Sequence, residues 1–524
     1  MLHIVLGALG LAQLAVSQTP VTITIPSSIP SNAKYSYGSL VGMSIEQDRF
    51  PDWAGTLGSP NPFTMTVLQN IVERYGVPPP IRVGGNTEDK THWSPDVQYT
   101  NNTYPAATNT TPYPEANTVV VGTDFWSLAG NFPSGTEFTF GINLKAQANY
   151  GAVIEAQIIT QVFQTLYNQM SGVTLRYLEL GNEPDLYGGV SHQFSGWTIE
   201  YYTTLWNSLA TSIQGALTYP PRMQILSFAH PTPANGFTVS GALAAGLLNG
   251  TLREDVYTVS EHHYQGSFCQ GAGGAVADLM NKAYVRGNLS VFDPEIAAAN
   301  AQGWRFELGE TNSVSCHGAP GLSNAAGAAV WVTDYIFQAA ARGIERLYFH
   351  NGIGYKYDFF DPYNGKTYPY TLTPHILPLY HSLLIQSELT SYTGPIYIAE
   401  LTTDSTFVAS YGIYAADTSA LLRVVIINSA PYYTYYTPGS RAEFAYTLSG
   451  LTTANVAGNG GNGSYFLRRL YVPGADATSG LTWAGQSFET ASGSPSGARV
   501  DESVTGEVFS GVGTEVVVAY FAEG

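Results

Sequence analysis

Between about residues 36 and 385, eight short apolar runs alternate with longer stretches of helical periodicity, and few folds accommodate that alternation. The runs are SLVGMSI (39–45), PIRVGG (80–85), FTFGINL (138–144), LRYLELG (175–181), MQILSFA (223–229), VYTVSEHH (256–263), WRFELG (304–309) and RLYFHNG (346–352). Largely apolar runs of this length read as strands buried on both faces. Apolar spacing near 3.6 residues predicts helices over 64–75, 150–170, 199–217 and 325–342. Eight strand-then-helix units predict a (β/α)8 TIM barrel over 36–385, with insertions. A doubly wound sheet is the alternative, but no Gly-rich phosphate loop follows the first run.

The pattern changes after residue 385. Short alternating runs such as FVASYGIYAA, LLRVVIINS and EVVVAYFA are separated by Gly, Ser, Asn and Thr clusters. They predict a C-terminal β-sandwich over 386–524, making the fold class α/β plus all-β. The segment 18–35 carries the strand-like VTITIP (21–26), expected to join that sandwich. Residues 1–17 have an apolar core too short to span a bilayer and small residues at Ala15 and Ser17. They are expected to be a secretory signal peptide, which makes the chain extracellular.

Export sets the reading of several side chains. Sequons at Asn101, Asn109, Asn249, Asn288 and Asn462 are candidate glycosylation sites. The only two cysteines, Cys269 and Cys316, are expected to pair as a disulfide between two loops at the barrel mouth. With 39 acidic and 21 basic residues, the net charge of -18 argues against nucleic acid and membrane partners. A monomer is expected.

Two runs end alike. LELGNEPD (178–185) and RFELGETNS (305–313) each carry Gly and then a carboxylate, Glu183 and Glu310. A carboxylate at the C-terminal end of a barrel strand faces the mouth where these folds do chemistry. Strands four and seven face each other, so the two glutamates should converge, as glycosidic bond cleavage requires. Glu183 is assigned as acid/base, Glu310 as nucleophile, and the expected separation is about 5–5.5 Å, the retaining geometry. Glu179 and Glu307 lie too early in their strands for either role. Tyr264, ending HHY, is placed to donate a hydrogen bond to the nucleophile. Asn182, Glu46 and Asn86 are candidate partners for sugar hydroxyls. No HExxH motif or Cys/His cluster completes a ligand set around His262 and His263, so neither metal nor cofactor is expected.

These motifs, with RVGGNTED (82–89), LGETNS followed by GAP, and GIGYKY (352–357), resemble glycoside hydrolase family 79. The resemblance covers nearly the whole mature chain and is closest to fungal secreted β-glucuronidases, with heparanase more distant. It implies a retaining exo-β-glucuronidase that removes terminal glucuronic acid, or its 4-O-methyl form, from plant glycans such as arabinogalactan. It also implies that Tyr355 contacts the uronate carboxylate. Ser315, Cys316 and His317 stand where the distant relative carries a Tyr and two glycines, so His317 and backbone amides near Gly318 are expected as the other anchors. A neutral-sugar exo-glycosidase and a non-catalytic carbohydrate-binding relative are the alternatives.

Overall fold

The structure is a computed structural model. It describes every residue except 1–17, 37, 110, 146–148, 169–171, 191–195, 249, 368–369, 392–393, 436–440, 459, 461–462 and 523–524. The proposed signal peptide and the sequons at 249 and 462 therefore lie outside the described residues.

Two strands precede the barrel, β1 (Thr19–Thr24) and β2 (Lys34–Ser36). The barrel strands are β3 (Val41–Glu46), β4 (Ile81–Gly84), β5 (Glu137–Ile142), β6 (Thr174–Leu180), β7 (Met223–Phe228), β8 (Val256–Ser267), β9 (Arg305–Ser315) and β10 (Arg346–Asn351). All eight run parallel and close on themselves, with β10 hydrogen-bonded to β3. Each coincides with one of the eight apolar runs. Strands β8 and β9 run several residues past their predicted ends, and those extensions carry Tyr264 and the residues after Glu310.

The helices around the barrel begin where local chemistry starts them. Helix α1 (Pro62–Tyr75) has Pro62 at its first position, and the Asn61 side chain accepts from the N–H groups of Phe63 and Thr64. Helices α2 (Asn149–Asn168) and α3 (Ile199–Ala216) follow β5 and β6. Helix α4 (Lys282–Ser290) lies between β8 and β9, and α5 (Ala326–Arg342) between β9 and β10. Residues 326–340 of α5 are buried on every face, because α5 is wedged between the barrel and the C-terminal sheets. Arg286 of α4 clamps that junction, pairing with Asp334 at 2.6 Å and Glu400 at 2.7 Å. No helix among the described residues is long and apolar enough to cross a membrane.

The C-terminal strands form two sheets. The larger contains β2, β11 (Ile396–Glu400), β12 (Val408–Ala415), β13 (Leu421–Asn428), β16 (Glu515–Tyr520) and β15 (Ser464–Tyr471) as successive neighbours. The smaller holds β1 parallel to β14 (Glu443–Ser449). Val21 and Ile23 of β1 pack with Val424, Ile426 and Leu448 in a core shared by both sheets. The N-terminal segment thus supplies one strand to each sheet, one more than the sequence suggested.

Candidate active site

Strand β6 ends at Leu180, and the chain turns sharply through Gly181 (φ 86°) to Glu183, whose φ of 48° puts a non-glycine residue in the left-handed region. Such a conformation persists only where the surroundings hold it. Here the Glu183 N–H donates to the Ser227 carbonyl at 2.9 Å, and Pro184 opens a short 3-10 turn. Glu183 Oε1 lies 3.0 Å from His262 Nδ1, and the Glu183 side chain is 18% exposed.

Glu310 is aimed by an irregularity in its strand. The pairing of β8 with β9 steps from Glu261–Leu308 to His262–Glu310, leaving Gly309 as an extra residue. Such bulges re-aim side chains beside active sites. A Cβ at position 309 would lie 2.1 Å from Ser260 Oγ, so any side chain there would have to displace that hydroxyl. Glu310 Oε1 accepts from the Tyr264 hydroxyl at 2.7 Å, and Oε2 accepts from Arg82 Nη1 at 2.7 Å. Burial alone would raise its carboxyl. The charges of His350, His262 and Arg82 and the Tyr264 hydrogen bond overcome that, holding Glu310 far below the usual carboxylate range.

Carboxylate oxygens of Glu183 and Glu310 and a ring nitrogen of His262 lie within 4.8 Å of one another. The two glutamates therefore converge at the mouth, one oxygen of each within 4.8 Å of the other. A metal ion would also accept that spacing, but the Arg82 guanidinium on Glu310 opposes a second cation there.

Arg82 is the residue that the sequence reading did not single out. It lies on β4, wholly buried, and its guanidinium binds four groups, one of them Ser44 Oγ at 2.9 Å. It donates to Glu179 at 2.7 Å from Nε, to Glu310 from Nη1, and to Asn182 Oδ1 at 2.9 Å from Nη2. Its signal was a lone Arg between apolar residues in IRVGG. Glu179, set aside as lying too deep, is deep and is the counterion of that arginine, also accepting from Ser227 Oγ at 2.8 Å. Glu307 lies lower still and pairs with Arg176 at 2.9 Å.

The outer wall gives two residues partners that the sequence did not indicate. Glu46 was assigned to a sugar hydroxyl. Its Oε1 instead accepts from the Thr87 N–H and hydroxyl at 2.7 and 2.5 Å, and its Oε2 meets His350 Nε2 at 3.0 Å, with the side chain fully covered. His317 was assigned to the uronate. Its Nε2 is taken by Glu115 Oε1 at 3.1 Å, and its ring stacks on Tyr355 with centroids 3.9 Å apart. Burial would raise the Glu115 carboxyl, but His317, Lys90 and Asn86 bring it down to about 2. Glu115 sits in the long connection after β4, where no motif marks it. Asn182, Asn86, Glu115 and His317 form one chain of contacts along the rim. Tyr355, the other ring of that stack, is buried, and Gly318 (φ 78°) supplies backbone against Tyr357.

Cys269 and Cys316 are bonded, with Cα atoms 5.2 Å apart, joining the loops after β8 and β9 as expected. Asn101 and Asn109 are exposed, whereas Asn288 lies in α4 and donates to Gln265 Oε1 at 2.8 Å, a constrained position for a glycan.

Several carboxyls that ring the barrel are raised by burial, Asp48 and Glu155 to about 8, and Asp89, Asp185 and Glu307 to about 7. Raised acids bind protons in the folded chain that the unfolded chain has released. Their contribution is therefore complete below about pH 4 and lost as pH rises through 7 to 8. Melting temperature should fall between pH 5 and pH 8, measured by calorimetry at fixed ionic strength. A higher value at pH 8 would contradict this.

The chain is similar to known glycoside hydrolases. Residues 410–519 match the family model of the glycosyl hydrolase family 79 C-terminal beta domain. The chain is 29% identical over 516 residues to a β-glucuronidase of Aspergillus niger, covering 95% of this chain and 91% of that protein. It is 27% identical over 520 residues to a β-glucuronidase of Neurospora crassa, covering 92% and 90%. Among solved structures, a 4-O-α-L-rhamnosyl-β-D-glucuronidase of Fusarium oxysporum, in complex with Rha-GlcA, superposes with a TM-score of 0.78 at 27% identity, covering 95% and 100%. An α-L-arabinofuranosidase of Bifidobacterium longum, at 13% identity and a TM-score of 0.60, shares the fold alone.

Proposed function

Because the chain belongs to glycoside hydrolase family 79, we propose that it is a secreted exo-β-glucuronidase working by double displacement. The observation that carries the mechanism is the approach of Glu183 and Glu310 to within 4.8 Å. An inverting pair leaves a gap of about 6.5–9.5 Å for water. In the first step Glu310, kept anionic by Arg82 and Tyr264, attacks C1 as Glu183 gives its proton to the departing oxygen. In the second, Glu183 takes a proton from water, which attacks C1 and returns Glu310 to its free state. Proton NMR of the first-formed sugar tests this. β-Glucuronic acid is expected, and an α-anomer would overturn the mechanism.

The uronate carboxylate needs donors, and with His317 held by Glu115 the best remaining side chain is the Tyr355 hydroxyl. Losing one hydrogen bond to a charged partner costs about 1.5–3 kcal/mol. Tyr355→Phe should cut kcat/KM on an aryl β-glucuronide roughly ten- to a hundredfold while sparing weak activity on the β-glucoside. Equal losses on both would remove Tyr355 from carboxylate recognition.

A second reading concerns the other end of the sugar. C1 and C4 lie across the ring from each other. With the leaving group at Glu183, after β6, O4 would lie toward β10 and β3. A cavity of about 280 Å³ opens there, lined by Asp48, Arg49, Tyr104, Tyr113, Ile353 and Tyr355. Tyrosine rings and one guanidinium suit a neutral sugar or an O-methyl group. A 4-O-substituted glucuronide should be cleaved with a kcat/KM at least equal to that of the unsubstituted one. A strong preference for the bare sugar would assign the cavity no part in substrate binding.

A further inference from the structure

His350 helps hold Glu310 ionised but takes no step in the double displacement above, yet it is built into the back of the nucleophile. It lies near the end of β10, almost wholly buried. Its Nδ1 is 2.9 Å from Ser44 Oγ and 3.6 Å from Glu310 Oε2, and its Nε2 is 3.0 Å from Glu46 Oε2. Arg82 Nη1 donates to both Ser44 Oγ, at 2.9 Å, and Glu310 Oε2. The ring contacts of His350 on this side are Tyr355 and Tyr357. The charged groups facing it are thus Glu46, Glu310 and Arg82.

Two protonation states fit these contacts. The neutral ring donates Nε2–H to Glu46 and accepts the Ser44 hydroxyl at Nδ1, while Ser44 Oγ accepts from Arg82. The imidazolium keeps the bond to Glu46 and also donates from Nδ1, toward Ser44 and the Glu310 carboxylate. Glu46 is present for either state, since Thr87 fixes its other oxygen.

We propose that His350, held by Glu46, is a positioning residue that governs release of Glu310 from the glycosyl-enzyme. This rests on the double-displacement reading. When the ester forms, Glu310 gives an electron pair to C1 and loses its charge. When water attacks, a new C1–O bond forms, the water proton passes to Glu183, and the C1–Oε bond of Glu310 breaks. The electron pair then returns to Glu310, which is again an anion. An imidazolium 3.6 Å behind it stabilises that returning charge. In the first step the same cation holds the attacking anion back. His350 therefore speeds hydrolysis of the ester relative to its formation. Burial would lower the imidazole, but Glu310 and Glu46 outweigh it and raise its affinity for a proton.

His350→Gln keeps a donor of similar reach and cannot become charged. With an aryl β-glucuronide carrying a good leaving group, kcat should fall roughly ten- to a hundredfold while kcat/KM, which reports ester formation, changes much less. KM then falls with kcat, a burst of phenol equal to the enzyme concentration should appear, and intact-protein mass spectrometry of quenched reactions should find the glucuronyl adduct. Wild-type kcat should decline as pH rises through the His350 transition, and the variant should lack that limb. Glu46→Gln, which keeps the histidine and weakens its hold on the proton, should move the limb to lower pH. A general packing defect would lower kcat and kcat/KM together with no burst. That result, or an unmoved limb in Glu46→Gln, overturns the proposal. If the wild-type enzyme released the inverted anomer, the double-displacement reading itself would fail, which separates the two outcomes.

Discussion

Glu310→Gln should lose on the order of 10⁴-fold or more in kcat on every β-glucuronide, because the side chain that forms the covalent bond is gone. The amide keeps the shape of the carboxylate but turns one acceptor into a donor. Tyr264 and Arg82 both donate to the native group, so one of them would face an N–H. A modest fall in melting temperature should accompany the loss, from a mismatch worth about 1–3 kcal/mol. Glu183→Gln should behave differently. An aryl substrate with a good leaving group needs little proton donation in the first step, so its kcat/KM should fall much less than that of an alkyl glucuronide. Azide added to Glu183→Ala fills the space left by the carboxylate and attacks the ester from the same face as water. The product should be the β-azide, identified by NMR. An α-azide would mean the two glutamates have exchanged roles.

The two glutamates were legible in the sequence because the barrel converts strand position into spatial position. Apolar runs located the strands, and the residue ending each run had to face the mouth. The same logic found Tyr264, since HHY ends a run that the structure extends. It misplaced Glu46, because ending a strand gives a direction and not a partner. The hydroxyl and N–H of Thr87 and the ring of His350 claim its oxygens, and they come from separate segments whose approach no local pattern encodes. His317 likewise has a partner that no local pattern encodes, Glu115, which arrives on an irregular connection. The sandwich strands were readable from their alternation, but the split of the N-terminal segment between two sheets was not. Residues 21–26 form one strong strand signal, whereas β2 is three residues long and pairs with β11 only because the barrel brings it there.

Arg82 sets the largest structural stake, and its removal should show how far catalysis and stability share one residue. It is the counterion of Glu179, buried to the same degree, and it holds Glu310 and Asn182 in register. Removing one partner from a buried ion pair leaves an uncompensated charge and costs about 3–5 kcal/mol. Arg82→Met should therefore lower the melting temperature sharply, and kcat should fall at least a hundredfold as Glu310 loses its orientation. Arg82→Lys should not rescue activity. A single ammonium cannot reach Glu179, Glu310 and Asn182 together, as the planar fork of Nε, Nη1 and Nη2 does. The double variant Arg82→Met with Glu179→Gln separates the two roles. Neutralising Glu179 removes the stranded charge, so stability should recover in part, while Glu310 still lacks its donor and activity should stay low. Recovery of both would make Arg82 a structural counterion with no hold on the nucleophile. Wild-type activity in Arg82→Lys would show that charge, and not the fork, is what Glu310 requires.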